Sequence, residues 1–595
     1  MIELYSPQSQ PARDFSSIPI LDCAIIAADS HFPSEDFTIK VTSSSGPDAV
    51  GAPNIGQASK SALSPLQNRV FRTIWLANLV SNIGTWMQEV GAGWLMTTLA
   101  PDPFMVSLVQ VSVVLPGFFL TLPAGALADI IDRRLFILSA IAWMTIMATG
   151  ITLMTFTGTI TPWSLIAFTL ALGMGSSMMM PAFTSLIPDL VPRTELISAV
   201  TLNGIAQNIT RAVGPAIAGV VIALAGPGPV FLLNAVSFVG IFVVMLRYRS
   251  MQPRSTLPSE RFIGAMRTGF AFLRQSPELQ TVIVRALAFF FMMSGLFAFL
   301  PLIVREEVQA GPQAYGLLLT CMGAGAVTMG LALPHLRARF STDAIVAAGT
   351  VVGGLTLLGL AYIRILLPLT AIMFVGGTAW ISVVSSLQVS AQLSLPAWVR
   401  ARGMAVYIAT FMGSMAVGSA TWGRVASATT TTTALTTAVA VGAVLGLIAA
   451  RWRITSNTGA DHTLAELAPE TTVIEVPHAD DGPVMVNIEY LIEPEQSEDF
   501  QKAMRDVRRM RLRNGAIAWG LFQDVHDERR YIEYFIDSTW LEHLRRRERV
   551  TVEEVEFNRV ARAFHRGDGS PRIEHFLARG APKRRRPWFG GPATD

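Results

Sequence analysis

Gly125-Ala126-Leu127-Ala128-Asp129-Ile130-Ile131-Asp132-Arg133-Arg134 closes one long apolar stretch and opens the next. A glycine lets two helices approach closely, and an acid followed by two arginines can tie helix ends together where a membrane protein keeps its positive charge. The composition around this decapeptide supports a membrane setting. Of 595 residues, 51% are hydrophobic and 15% are Asp, Glu, Lys or Arg, against about a quarter charged in soluble globular proteins. Of the 89 charged side chains, 46 fall in residues 460–595, whereas residues 71–450 hold 30 and no lysine. The chain reads as a membrane region followed by a soluble domain. A net charge of +3, evenly mixed, excludes a nucleic-acid-binding surface. Cys23 and Cys321 make neither a disulfide framework nor a thiolate metal site, and no metal or cofactor is expected.

From Phe71 onward, twelve apolar windows recur before residue 450, each long enough to cross a hydrocarbon core of about 30 Å. Arginine placement orients them. With the N-terminus inside, fourteen arginines, Arg133, Arg134, Arg193, Arg247, Arg400 and Arg402 among them, fall on cytoplasmic loops, and Arg305, Arg364 and Arg424 fall near the outside. An odd number of helices would put part of the first set on the wrong face. The expected organisation is a disordered tail over residues 1–62, without a cleaved signal peptide, and a twelve-helix region over 63–452. That region divides into an N-terminal half (63–247), a central cytoplasmic loop (248–280) and a C-terminal half (281–452). Leu190-Val191-Pro192-Arg193 before helix five has an echo in Trp398-Val399-Arg400-Ala401 before helix eleven, close to the offset between helices one and seven. A duplicated six-helix unit is the pattern of transporters whose substrate site lies between the halves. Both termini are expected in the cytoplasm, with the protein a multi-pass component of a bacterial cytoplasmic membrane.

The decapeptide resembles the major facilitator superfamily motif G-x-L-a-D-r-x-G-r-[RK]. Gly125, Leu127, Asp129, Arg133 and Arg134 match, and Asp132 stands where glycine is usual. The resemblance implies an all-α membrane protein of the twelve-helix fold, with a cytoplasmic latch in which Asp129 faces the start of helix eleven near Gly403. The plainer alternative is a basic loop obeying the positive-inside rule. In helix five, Asn203, Gln207 and Arg211 recur every four residues and are followed by Gly214-Pro215-Ala216-Ile217-Ala218-Gly219. Gly214, Pro215 and Gly219 resemble the antiporter motif of drug exporters in the same superfamily. In helix one, Asn78, Asn82, Thr85 and Glu89 share a face, and Glu89 is the one carboxylate well inside the expected spans. A cavity carboxylate can alternate between protonated and ionised forms, coupling proton entry to substrate exit, and Arg211 is its expected partner. A permanent ion pair is the alternative. Many drug/proton antiporters of the superfamily carry an arginine in helix four where this chain has Thr169 ahead of Gly173, which leaves Arg211 as the candidate cation. Met178-Met179-Met180 and Phe289-Phe290-Phe291-Met292-Met293 read as packing rather than as ligands.

After a linker over 453–483, residues 484–580 change period. Strands near 484–490, 516–522, 530–536 and 573–578 alternate with helices near 497–513, 539–547 and 551–564. The β-α-β-β-α-β order implies a small ferredoxin-like α+β domain in the cytoplasm, with a basic tail over 581–595. Gly515-Ala516-Ile517-Ala518-Trp519 and Ser538-Thr539-Trp540-Leu541-Glu542-His543-Leu544 resemble the C-terminal domain of the transmembrane secretion effectors, bacterial exporters that include relatives of the enterobactin exporter. The domain is also similar in strand order to dimeric α+β-barrel monooxygenases, where His543 and Trp540 would fall in a site. Fold alone does not confer activity. The expected function is proton-coupled efflux of a small amphipathic molecule, a siderophore, macrolide or other drug, with the lipid bilayer and protons as partners and a homodimer through the C-terminal domain. The rival readings are a membrane-tethered monooxygenase and a non-transporting receptor or scaffold.

Overall fold

A computed structural model describes residues 63–130, 132–248, 272–396, 398–452, 478 and 481–578. The expected N-terminal tail and basic C-terminal tail, and most of the central loop and of the linker, lie outside them. Among the described residues, twelve long helices precede the sheet: α1 Arg69–Leu99, α2 Pro103–Ile130, α3 Arg133–Phe156, α4 Pro162–Leu190, α5 Leu196–Ala225, α6 Gly228–Arg247, α7 Pro277–Leu302, α8 Pro312–Arg339, α9 Thr342–Tyr362, α10 Leu366–Leu393, α11 Arg400–Ala428 and α12 Thr431–Ala449. Their starts are written in local chemistry. Asn68 caps α1 by accepting from Val70 and Phe71 N–H, Thr161 and Ser164 form a capping box on α4, and prolines open α2, α4, α7 and α8, where the missing N–H costs nothing.

Eleven of the helices are long and apolar enough to cross a membrane by length and composition. The exception is α1, whose 31 residues span about 46 Å at 1.5 Å per residue but carry Asn78, Asn82, Gln88 and Glu89 through the middle. Its position depends on its neighbours, α5 and α6.

Packing repeats with a period of six helices. In the N-terminal half, α1 lies against α5 and α6, α2 against α4, and α3 against α4 and α6; in the C-terminal half, α7 lies against α11 and α12, α8 against α10, and α9 against α10 and α12. The halves meet along α2–α11 and α5–α8, and these two contacts exchange under the same shift. Each half also holds the C-terminal end of its last helix with an arginine. Arg134 at the start of α3 donates to the carbonyls of Met245 (3.2 Å) and Leu246 (2.5 Å). Arg285, buried in α7, pairs with Asp343 at 2.7 Å and donates to the Trp452 carbonyl at 2.9 Å. Cations suit those helix ends because the macrodipole leaves partial negative charge there. Sequence reading placed Arg134 on a loop and did not single out Arg285.

The C-terminal domain is a four-stranded antiparallel sheet in the order β2-β3-β1-β4, with β1 Val484–Leu491, β2 Ala518–Gln523, β3 Arg530–Asp537 and β4 Arg572–Leu577. Helices α13 Ser497–Arg513, α14 Trp540–Glu548 and α15 Val552–Ala563 complete the ferredoxin-like order. Val484, Val486, Ile488 and Tyr490 alternate inward on β1 and meet Phe500, Met504, Val507 and Met510 of α13, spaced at helical intervals. The opposite face of the sheet carries Met485, Phe522, Tyr534, Ile536 and Phe576, with Phe522 and Phe576 exposed.

The face of the bundle that carries the domain is called the domain face below, and the opposite one the far face. Arg305, Arg364 and Arg424, the three arginines expected on the far face, all have partners there. Arg305 bonds Thr97 and Thr98, Arg364 pairs with Glu307 and bonds Thr432, and Arg424 lies over the Phe104 ring.

Candidate functional site

A small cavity of about 40 Å³ lies between α1, α2, α7 and α8, lined by Trp86, Glu89, Gln110, Val113, Phe297 and Tyr315 among others. Both halves contribute walls. At roughly 10–15 Å³ per water, it holds about three waters and no drug-sized molecule. Glu89 enters this cavity partly exposed.

Arg211 approaches Glu89 from α5. Its guanidinium carbon stands 5.4 Å from the centre of the Trp86 ring, and its Nε is buried with no hydrogen-bond partner. Glu89 and Arg211 are within electrostatic reach of each other, yet among the described residues no hydrogen bond or close ion pair joins them. The aromatic face supplies the cation with a partner that is not a carboxylate.

The other polar residues of α1 divide. Thr85 donates to the Ser81 carbonyl on its own helix, Asn78 is buried, and the Asn82 Nδ2 is buried without a partner. Gln88, not singled out in the sequence, accepts from Asn234 of α6 at 3.4 Å, and Ser237 bonds Asn234 in turn. Thus α1 turns one polar edge to the cavity and another to α6. On α5, Asn203 is half-buried and Gln207 exposed, two turns and one turn toward the domain face from Arg211. Neither side chain makes a hydrogen bond among the described contacts. Thr169 donates to the Leu165 carbonyl within α4.

The glycines of α5 allow it to touch both neighbours. A Cβ on Gly214 would lie 2.5 Å from the Trp86 Cβ of α1, and one on Gly219 would lie 2.8 Å from the Pro312 carbonyl of α8. The fit is mutual, since a Cβ on Gly316 of α8 would meet the Pro215 carbonyl at 2.5 Å. The motif therefore fixes Arg211 against α1 and joins the halves.

Described polar links between halves cluster toward the far face. Arg305 of the turn after α7 reaches Thr97 (3.2 Å) and Thr98, with its guanidinium carbon 5.6 Å from the Trp94 ring centre. Tyr315 of α8 stacks on the same Trp94 at 6.3 Å. Asp102 accepts from Ser427, whose hydroxyl also accepts from Phe104 N–H.

At the decapeptide, Leu127 is exposed, and the surroundings of Gly125 and the side chain of Asp129 lie outside what the structure describes. Arg133 pairs with Asp189 of α4 at 3.5 Å, and Arg134 holds α6 as described, so the described contacts of both arginines stay within the N-terminal half. Asp132 accepts from Leu135 N–H and caps α3, which gives the departure from glycine a local use.

Phe289, Phe290, Met292 and Met293 are buried in the C-terminal bundle core, and Met178 and Met179 pack against the N-terminal one. In the α+β domain, His543 is buried with Nδ1 2.9 Å from Asp537 Oδ2 and its ring stacked on Trp540 at 5.2 Å. Arg546 Nε donates to the same carboxylate at 3.0 Å, so these residues form a packed interior.

A family model described as Transmembrane secretion effector matches residues 60–583. The chain is 21% identical over 295 residues to the staphyloferrin A transporter of Staphylococcus aureus, covering 49% of this chain and 74% of that one. It is 24% identical over 288 residues to an MFS-type transporter, YfiS, of Bacillus subtilis, covering 48% and 68%. In fold it is similar to the crystal structure of the nucleoside transporter NupG, with a TM-score of 0.54 at 12% identity, covering 64% of this chain and 99% of that one.

Proposed function

Because the chain belongs to the transmembrane secretion effector family of major facilitator transporters, we propose that it exports a small amphipathic molecule across the bacterial cytoplasmic membrane in exchange for protons. The observation that carries this reading is Glu89, a carboxylate of α1 in a cavity walled by both halves, with Arg211 in reach but not bonded to it. A carboxylate so placed can take up a proton when the cavity opens to one side and release it on the other. Alternating access follows if the halves rock about the α2–α11 and α5–α8 contacts, opening the small cavity to substrate size. The domain face is cytoplasmic on this reading, since it carries most loop arginines. The resemblance of the decapeptide to the superfamily motif assigns Asp129 to a latch on that face.

The similarity to the staphyloferrin A transporter favours a siderophore as the first substrate to test, ahead of macrolides and other drugs. The α+β domain acts as a pairing module rather than an enzyme: His543 and Trp540 are packed inside, and the outer face of the sheet, where exposed Phe522 and Phe576 stand beside Glu489, Arg572 and Glu574, suits a second copy. Proteoliposomes containing the purified protein, given an acid-outside pH gradient and either staphyloferrin A or erythromycin, test the proposal. Gradient-dependent movement of either compound supports it, and movement of neither refutes these substrate classes.

A further inference from the structure

The loop before α11 and the segment before α7 carry two aromatic residues that the N-terminal half lacks. Phe272 and Trp398 meet edge to face, with ring centres 6.0 Å apart. In the N-terminal half the matching position is Leu190, the last residue of α4, whose carbonyl accepts from the side chain of Asn68, just before α1, at 3.0 Å. The pseudo-repeat thus holds the same two chain segments together in both halves, with a polar link in one and an aromatic pair in the other.

Only the second arrangement offers ring faces, and the α+β domain uses them. The guanidinium carbon of Arg549, just after α14, stands 4.8 Å from the Trp398 ring centre, and that of Arg513, at the end of α13, stands 5.6 Å from the Phe272 ring centre. Both lie within cation–π range. Each arginine is also oriented from inside its own domain. Arg513 donates to Glu554 at 2.6 Å, and Arg549 donates to Glu542 at 3.3 Å and to the Asn514 carbonyl at 3.4 Å. The guanidinium planes are therefore set before they meet the rings, which lowers the entropy lost on contact.

Charge opposes this seat and is only partly offset there. Arg400 and Arg402 open α11, where the helix dipole already presents partial positive charge. The domain brings Glu542 within electrostatic reach of Arg402, together with Arg545 and Arg549. Glu542 bonds Arg545 at 2.8 Å. One carboxylate among these cations offsets part of their repulsion, which leaves the two aromatic rings to hold the domain at the helix end.

We propose that Phe272 and Trp398 form a docking seat on the C-terminal six-helix bundle, gripped by Arg513 and Arg549, so that the α+β domain rides on that bundle and fastens the loop before α11. The seat needs neither substrate nor protons, so it can fail while the transport reading stands, and the reverse.

The test uses the full-length protein with Cys23 and Cys321 changed to serine and spin labels at Gln523→Cys, on exposed β2, and Phe340→Cys, after α8. The parent should show one narrow distance distribution. Trp398→Ala, which lies outside the domain, should lower the docked-to-undocked ratio roughly tenfold and broaden the distribution. Phe272→Leu, which keeps bulk but loses the ring, and Arg549→Lys, which keeps charge but loses the plane, should act in the same direction. Unchanged hydrogen exchange across residues 484–577 would show that the domain itself remains folded. A parent distribution that is already broad, or one that Trp398→Ala leaves narrow, would overturn the seat.

Discussion

Arg211 of α5 lies over the ring of Trp86 on α1, one turn before Glu89. A buried guanidinium normally needs a carboxylate, and removing that partner strands the charge. Here the ring takes part of that load, which leaves Glu89 able to lose its charge without leaving Arg211 wholly uncompensated. Glu89→Gln is therefore expected to fold and insert normally but to abolish gradient-driven export in proteoliposomes, with downhill movement retained. Export by the variant at the parent rate under a pH gradient would remove Glu89 from the coupling step.

The α5–α8 contact tolerates no added side chain. Gly316→Val would press on the Pro215 carbonyl and should cost roughly 1–3 kcal/mol. Gly204 of α5, where a Cβ would meet nothing within 4 Å, is the control, and Gly204→Ala should be neutral or slightly stabilising. Thermal unfolding of the detergent-purified variants distinguishes the two, and equal midpoints would refute close packing as the role of the motif.

Trp94 is in contact with both Tyr315 and Arg305, each from the C-terminal half. Arg305→Ala removes the cation and the bonds to Thr97 and Thr98. In a cysteine-free background, Gln110→Cys should then react several-fold faster with an impermeant thiol reagent added from outside. No increase would mean that the far face is closed by other contacts.

Asp537 gives the α+β domain a pH dependence. Burial acts to raise its pKa and is the largest single influence, but the hydrogen bond to His543 and the charge of Arg546 outweigh it and hold the carboxyl below the usual range. The folded state therefore binds this proton less readily than the unfolded chain. Its contribution to stability is complete above the unfolded value of about 3.9 and fades as pH falls through the lower folded value. Asp537→Asn should cost the domain roughly 3–5 kcal/mol at neutral pH by stranding Arg546. Urea titration read by hydrogen exchange across residues 484–577 checks this, and the gap from the parent should narrow at strongly acid pH.

The helices were legible because a bilayer imposes a length and a composition on each of them, and the sheet order because period two and period 3.6 alternate clearly after residue 484. Glu89 and Arg211 could be singled out as charges in apolar windows. What joins them could not, because Trp86 looks like any other apolar residue of α1 until α5 is laid against it. Gln88 was hidden for a related reason: its partner Asn234 sits 146 residues away on α6. The arginines of the decapeptide signalled a latch, and their described partners, Asp189 and the end of α6, show which helices they hold within one half. Arg285 escaped notice because its partner Asp343 sits 58 residues along the chain, at the start of α9. Side-chain reach between helices is set by rotation and tilt, and neither is written in hydropathy.

The polarity of α1 also has a consequence for biosynthesis. Gln88 cannot meet Asn234 until 146 further residues have been made, an interval of about 7–30 s at roughly 5–20 residues per second. Throughout that time the one helix of the twelve that falls short of a membrane span by length and composition lacks the neighbour that donates to its Gln88 Oε1. A proteinaceous or hydrated vestibule suits it better than free lipid over that interval, which makes the emergence of α6 from the ribosome a timing event in assembly.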